Sequence, residues 1–176
     1  KVIWKKIRCG KNIVMSKNKI QISKNAYGEN QSSIDFWDNN RQSISDLYPS
    51  ERHFLEPALK NIVSVLDVGC ASGGSFNFCK EVNHNLDYTG IDISRKLIKS
   101  AKRKYPKQKF YVYDGYRIDT VKQTYDLVFS LGVLHHLSHW QSIIRQMVNL
   151  SLKNTIFDLR LTHDKTLDNP IKYYQH

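Results

Sequence analysis

The chain has 176 residues, 40% of them hydrophobic, which suits one domain with a real buried core. No run is long and apolar enough to cross a bilayer, and Cys9, Cys70 and Cys79 form neither a disulfide framework nor a metal-ligand spacing, so a membrane-spanning, disulfide-built or metal-holding protein is not expected and a cytoplasmic one is. The net charge of +11 is lopsided: the first 25 residues carry eight basic side chains and no acid, leaving +3 for the rest, a weak footprint for nucleic acid.

Residues 1–33 are polar, basic and without periodic pattern, and read as an N-terminal arm. Met15, inside it, is a candidate start. Residues 34–61 hold Phe36, Trp37, Leu47, Tyr48, Phe54, Leu55 and Leu59, and read as a helical segment packed ahead of the first strand. Ser50 is the expected N-cap after Pro49, with Glu51 favourable in the first turn. Pro57 lacks an N–H and its ring clashes with the carbonyl of His53, so the helix is expected to break there and a short new one to begin. Trp37, Tyr48 and His53 are candidates to line a pocket, with plain core packing the more ordinary role for the two aromatics.

The domain proper is expected over 62–176. Val63, Val65, Leu66 and Val68 fit a strand covered on both faces. It ends in Asp67 and a loop of small residues, Gly69-Cys70-Ala71-Ser72-Gly73-Gly74, where the backbone can approach a ligand closely. The helix expected from Ser75 would offer N-terminal N–H groups to an anion. Gly69, Ala71 and Gly74 also satisfy a relaxed GxGxxG, so a dinucleotide-binding dehydrogenase stays open at this point. Cys70 reads as a packing residue.

Asp87 to Asp92 reads as a second strand, with Asp92 placed 23 residues after Gly69 to accept hydrogen bonds from ribose hydroxyls. Ser94 is the expected N-cap of a helix from Arg95 to Tyr105 that Pro106 ends. A third strand, from Lys109, stops at Asp114-Gly115, a turn signal whose carboxylate suits an exocyclic amine. A fourth runs from Tyr125 to Leu131, followed by Gly132-Val133-Leu134-His135-His136-Leu137.

These four segments in this order resemble the motifs of the class I S-adenosylmethionine-dependent methyltransferases, over roughly residues 60 to 160. LDVGCASGG is similar to the first motif, GIDIS to the second, FYVYDG to the third and YDLVFSLGVLHHL to the fourth. The resemblance implies an α/β, Rossmann-like, doubly wound and mostly parallel sheet, with S-adenosylmethionine as cofactor and a small-molecule acceptor. It implies a cofactor set of Asp67, Gly69, Cys70, Ala71, Ser72, Gly73, Asp92, Ile93, Asp114, Gly115, Ser130 and Leu131. Asp67 and the glycine loop match the part that holds the methionine portion, Asp92 the ribose acid, Asp114 and Gly115 the adenine edge, and Ser130 and Leu131 the segment beside the transferred methyl. Ala71 replaces the usual central glycine, so backbone angles there must suit a Cβ.

His135 and His136, just past the fourth strand, are the candidate bases, for histidine titrates near neutrality. His139, Asp158, Arg160 and His163 are weaker pocket candidates. A helix is expected from Trp140 to Leu152 and a fifth strand from Asn154 to Arg160. About five strands are therefore present and the family's closing strands missing, which reads as a C-terminally incomplete chain; the absence of Met at position 1 suggests the same at the front. The leading expectation is methyl transfer to a small molecule, such as a hydroxyl-bearing metabolite. RNA methylation and cofactor binding without catalysis are the alternatives.

Overall fold

A computed structural model describes residues 31–118 and 121–160. The arm up to residue 30, with Cys9 and Met15, and His163 lie outside the described residues. Five strands form one sheet in the order β3-β2-β1-β4-β5, every neighbouring pair parallel. They are β1 (Ser64–Val68), β2 (Asp87–Asp92), β3 (Lys109–Val112), β4 (Tyr125–Ser130) and β5 (Ser151–Phe157). Five helices accompany them: α1 (Gln31–Asn39), α2 (Pro49–Lys60), α3 (Gly74–Val82), α4 (Arg95–Lys104) and α5 (Trp140–Leu150).

The continuous apolar strands have a simple cause. Alternate side chains point to opposite faces, and both faces are covered. Val65, Tyr88, Phe110, Leu127 and Phe129 pack with Leu55 and Leu59 of α2, Phe78 of α3 and Ile98 of α4. Leu66, Val68, Ile91 and Val128 pack on the other side with Ile143 and Met147 of α5. Ser94 caps α4, its hydroxyl accepting the Leu97 N–H at 3.3 Å. The exposed side of α4 carries Arg95, Lys96, Lys99, Lys102, Arg103 and Lys104.

Three local expectations fail. Pro57 lies inside a continuous α2. It sits on the solvent side, where the His53 carbonyl that it leaves without a partner can be hydrated, while fully buried Leu55 and Leu59 hold the helix to the core. The N-cap of α2 is Tyr48, not Ser50. Pro49 takes the first helical position, which its fixed φ suits, and Glu51 Oε2 accepts the Tyr48 N–H at 3.0 Å. Tyr48 itself is 69% exposed, so it packs in no core. Strand β5 starts three residues earlier than expected, because α5 ends at Leu150 and Ser151 already pairs with Tyr125. Among the described residues no helix is long and apolar enough to cross a membrane, and no group of three or more side chains could hold a metal ion.

Candidate active site

The C-terminal tips of β2, β1 and β4 lie side by side. Val68 pairs with Ile91, Asp67 with both Gly90 and Phe129, and the loops leave the sheet at Gly69, Ile93 and Leu131. This edge, where the strand order reverses, is where open α/β sheets take ligands.

The loop after β1 is shaped by backbone conformations that few side chains tolerate. Gly69 has φ +87° and Gly73 φ +86°, and a Cβ at Gly73 would meet the Phe110 ring at 2.9 Å. The N–H groups of Gly69 and Cys70 donate to the Ile91 carbonyl at 2.7 and 3.0 Å, tying β1's tip to β2's. Ala71 has φ +47°. The left-handed region costs an L-residue about 1–2 kcal/mol, and glycine's extra unfolded-state freedom offsets about 0.5–1 of that on substitution. Ala71→Gly is therefore expected to stabilise the protein by about 0.5–1 kcal/mol, read as a higher urea midpoint at unchanged slope. Cys70 is 3% exposed, its Sγ packed where a Cβ at Gly90 would sit. Burial pushes its thiol well up, so it is an inert packing residue. Ser72 is wholly buried.

Asp92 closes the loop from the neighbouring strand. Its Oδ2 accepts the Ala71 N–H at 2.9 Å and its Oδ1 the Ser94 N–H at 2.8 Å. The carboxylate is 8% exposed. Burial raises its pKa, against the backbone N–H groups of Ser94, Ala71 and Ile93. Each oxygen keeps lone-pair capacity for a further donor. Ile93 packs half-buried against the α5 side of the core. Asp67, beneath β1's tip, is 2% exposed and accepts the Tyr88 hydroxyl at 2.6 Å.

One strand further out, Asp114 is exposed and its Oδ1 accepts the N–H groups of Tyr116 and Arg117 at 2.8 and 2.9 Å. It shapes the turn at Gly115, which has φ +84°. His139 clamps that turn, with Nε2 bonded to the Gly115 carbonyl at 2.7 Å and its ring stacked on Tyr116 at 4.5 Å. At β4's tip, Ser130 is buried and its hydroxyl donates to the Val68 carbonyl at 2.8 Å. Leu131 is buried in the core on the α2 and α3 side.

His135 and His136 lie on a single 3-10 turn, Leu134–His136, with ring centroids 4.0 Å apart. Burial, then the neighbouring His135 and Arg160, pull His136 down to about 4. Burial and Arg160 lower His135 as well, against Asp158. Both rings are therefore neutral at neutral pH and can accept hydrogen bonds. Asp158, just beyond β5, takes the Gly132 N–H at 2.6 Å.

Two charged residues that the sequence reading passed over join this edge. Arg41 reaches Glu51 with an Nη2–Oε1 distance of 2.7 Å, and both side chains are largely buried. Its guanidinium lies 3.6–3.7 Å from where a Cβ on Gly132 would be. His53, by contrast, lines surface hollows of about 520 and 460 Å³ along α2, the second shared with β5. Trp37 packs edge-on against exposed Phe36 at 5.0 Å.

Residues 66–157, more than half of the chain, match the family described as a methyltransferase domain. The chain belongs to that family. It is a class I S-adenosylmethionine-dependent methyltransferase domain. Among curated proteins it is similar to an assigned methyltransferase, 235L, of Invertebrate iridescent virus 6, at 28% identity over 104 residues, which cover 58% of this chain and 39% of that protein. It is also similar to phthiotriol/phenolphthiotriol dimycocerosates methyltransferase 1 of Mycobacterium ulcerans, at 26% identity over 49% of this chain and 32% of that protein. The chain thus spans well under half of these relatives. Among solved structures, the plantazolicin methyltransferase BamL, in complex with a triazolic desmethylPZN analog and SAH, shares the fold. Its TM-score is 0.54 at 24% identity, covering 68% of this chain and 47% of that one.

Proposed function

We propose that this methyltransferase domain moves a methyl group from S-adenosylmethionine to a small-molecule acceptor. The observation that carries the reading is Asp92, a carboxylate at the tip of β2 bonded through Ala71 to the glycine loop of β1. An acceptor-only group with spare lone pairs suits a pair of ribose hydroxyls. The loop beside it presents backbone in place of side chains, and a cation, Arg41, stands at β4's tip for the cofactor's acidic end. This donor set fits a ligand with a diol at one end and a carboxylate at the other.

In this reading Asp92 and Ile93 hold the ribose side, and the turn at Asp114-Gly115, fixed by His139, borders the adenine. The backbone at Gly69 to Gly73 and the tip at Ser130-Leu131 lie along the amino-acid arm. The cofactor, when bound, supplies an electrophilic methyl on a sulfonium. The protein's task is then to align the two reactants in line and keep water away. His135 and His136 belong to the acceptor side. A neutral imidazole there accepts the hydrogen bond of an acceptor hydroxyl as its oxygen attacks. The small-molecule class is supported by the Mycobacterium ulcerans relative, named for phthiotriol and phenolphthiotriol dimycocerosates.

Thermal unfolding with S-adenosylhomocysteine tests the reading. At a hundredfold excess over its dissociation constant the ligand is expected to stabilise by about 2.7 kcal/mol, a rise of about 5–10 °C for a chain of this size. The rise should vanish in Asp92→Ala. A rise with NAD instead would restore the dehydrogenase reading and sink this one.

A further inference from the structure

We propose that Arg41 binds the carboxylate of the cofactor's amino-acid arm, and that Glu51 is the positioning residue that aims its guanidinium. The inference rests on the cofactor reading above and adds the segment that reads the arm. Arg41 is one of two described non-glycine residues with positive φ, at +54°. A strained backbone persists only where its surroundings over-determine it, and here they do. The carbonyls of Asn40 and Arg41 lie 2.6 and 3.1 Å from where a Cβ on Gly74 would be, so only glycine at the start of α3 admits this loop. On one side Gln42 is anchored by Asp38, Asn40 and Asn77, with its Nε2 donating to the first two carbonyls at 3.1 Å and its Oε1 accepting from Asn77 at 2.7 Å. On the other, Glu81 accepts from the Ser43 hydroxyl and the Ile44 N–H at 2.9 and 3.0 Å.

The side chain is directed as firmly as the backbone. Glu51 is 5% exposed at its side chain and divides its oxygens, Oε2 to the Tyr48 N–H and Oε1 to Arg41. The guanidinium is thereby held over Gly132 at β4's tip, within electrostatic reach of Asp67. Arginine has five N–H donors. Among the described residues the bond to Glu51 is the only one it makes. A mostly buried cation with unspent donors, in a fixed fork, is built for a planar anion. Asp92 lies two strands away across β1, about 10 Å at ordinary strand spacing, on the ribose side. The charged end that remains on such a ligand is its α-carboxylate.

The test is calorimetric binding of two ligands that differ in that arm. S-adenosylhomocysteine carries it, and 5′-methylthioadenosine does not. Arg41→Ala is expected to weaken S-adenosylhomocysteine by about 30- to 100-fold, the range for a hydrogen bond to a charged group, and to leave methylthioadenosine within twofold. Arg41→Gln repeats the test with a side chain that still fills the space. Glu51→Gln, which leaves Arg41 in place, is expected to lower the affinity ratio of the two ligands by less than tenfold; a purely structural role would leave the ratio unmoved. Equal loss for both ligands, or no loss for either, overturns the proposal. A wild-type protein that binds neither ligand overturns the cofactor reading itself, while one that binds both equally well leaves that reading standing and sinks only the role of Arg41.

Discussion

Gly69→Ala is expected to destabilise the fold by about 3 kcal/mol, and Gly132→Ala by about 1 kcal/mol. The two glycines have similar left-handed conformations, with φ +87° and +71°. Each substitution therefore meets the same conformational penalty of about 1–2 kcal/mol. They differ in what surrounds the new methyl. At Gly132 the nearest atoms are the Arg41 guanidinium nitrogens at 3.6 and 3.7 Å, which is ordinary contact. At Gly69 the methyl would collide with Val133 Cγ2 and lie only 3.2 Å from its Cβ and Cγ1. No rotation of one methyl group relieves that. Val133 begins the turn that carries His135 and His136, so the segment must move as a body, and overpacking of this kind costs about 1–3 kcal/mol. Urea unfolding of the two single variants measures the difference. The double variant Gly69→Ala with Val133→Ala separates the causes, because shortening Val133 removes the collision and leaves the strain. If the double variant is no more stable than Gly69→Ala, the collision is not the source of the loss. Binding of S-adenosylhomocysteine should fall in Gly69→Ala as well, since the displaced segment lies against the glycine loop.

How far the sequence reveals such things depends on the range of the interaction. Strand β2 has the expected bounds, Asp87 to Asp92, because an apolar stretch and the acid at its tip are local signals. Ser94 is the N-cap of α4 as expected, since a cap is decided within three residues. The failures come from longer range. Pro57 looks like a breaker, and only the tertiary packing of Leu55 and Leu59 shows that α2 continues through it. Strand β5 is misplaced because Leu152, Lys153 and Asn154 are exposed, and their pairing with β4 leaves no periodic trace. Ser130 is a small polar residue at the right strand tip, yet its hydroxyl is spent on Val68. Arg41 had no signal at all: it is one basic residue in a polar loop, and its meaning lies in Glu51, ten positions away, and in Gly132, further still. The glycine at position 74 was visible, but the chain that presses on it was not.

Asp67 is expected to make the protein less stable as the pH rises from 4 to 7. Its carboxyl lies beneath the tip of β1, 2% exposed. Burial is the largest influence on it and, with the charge of Asp92, outweighs the hydroxyls of Tyr88 and Ser75 and the charge of Arg41, pushing its pKa up to about 7. In the unfolded chain the same group titrates near 3.8. Below 3.8 both states hold the proton and the contribution is present in full. Between the two values the unfolded chain gives up its proton while the folded protein keeps it, so stability is lost with each step in pH. Above about 7 the loss is complete. Three pH units at 1.36 kcal/mol each amount to about 4 kcal/mol. Asp92 and Glu51, whose pKa values burial also raises, act in the same direction. Asp38 and Asp126, held below the ordinary range, act in the opposite one. The net slope of the wild type therefore says little, and the comparison must be with Asp67→Asn. Asparagine keeps an oxygen for the Tyr88 hydroxyl and removes the charge, so its stability relative to wild type should improve by about 3–4 kcal/mol between pH 4.5 and pH 8. Urea denaturation at those two pH values gives the number directly. Parallel curves for the two proteins would mean that Asp67 ionises in the fold as readily as in water. A converging pair would mean that the carboxylate nearest the glycine loop stands protonated until a cation is placed beside it.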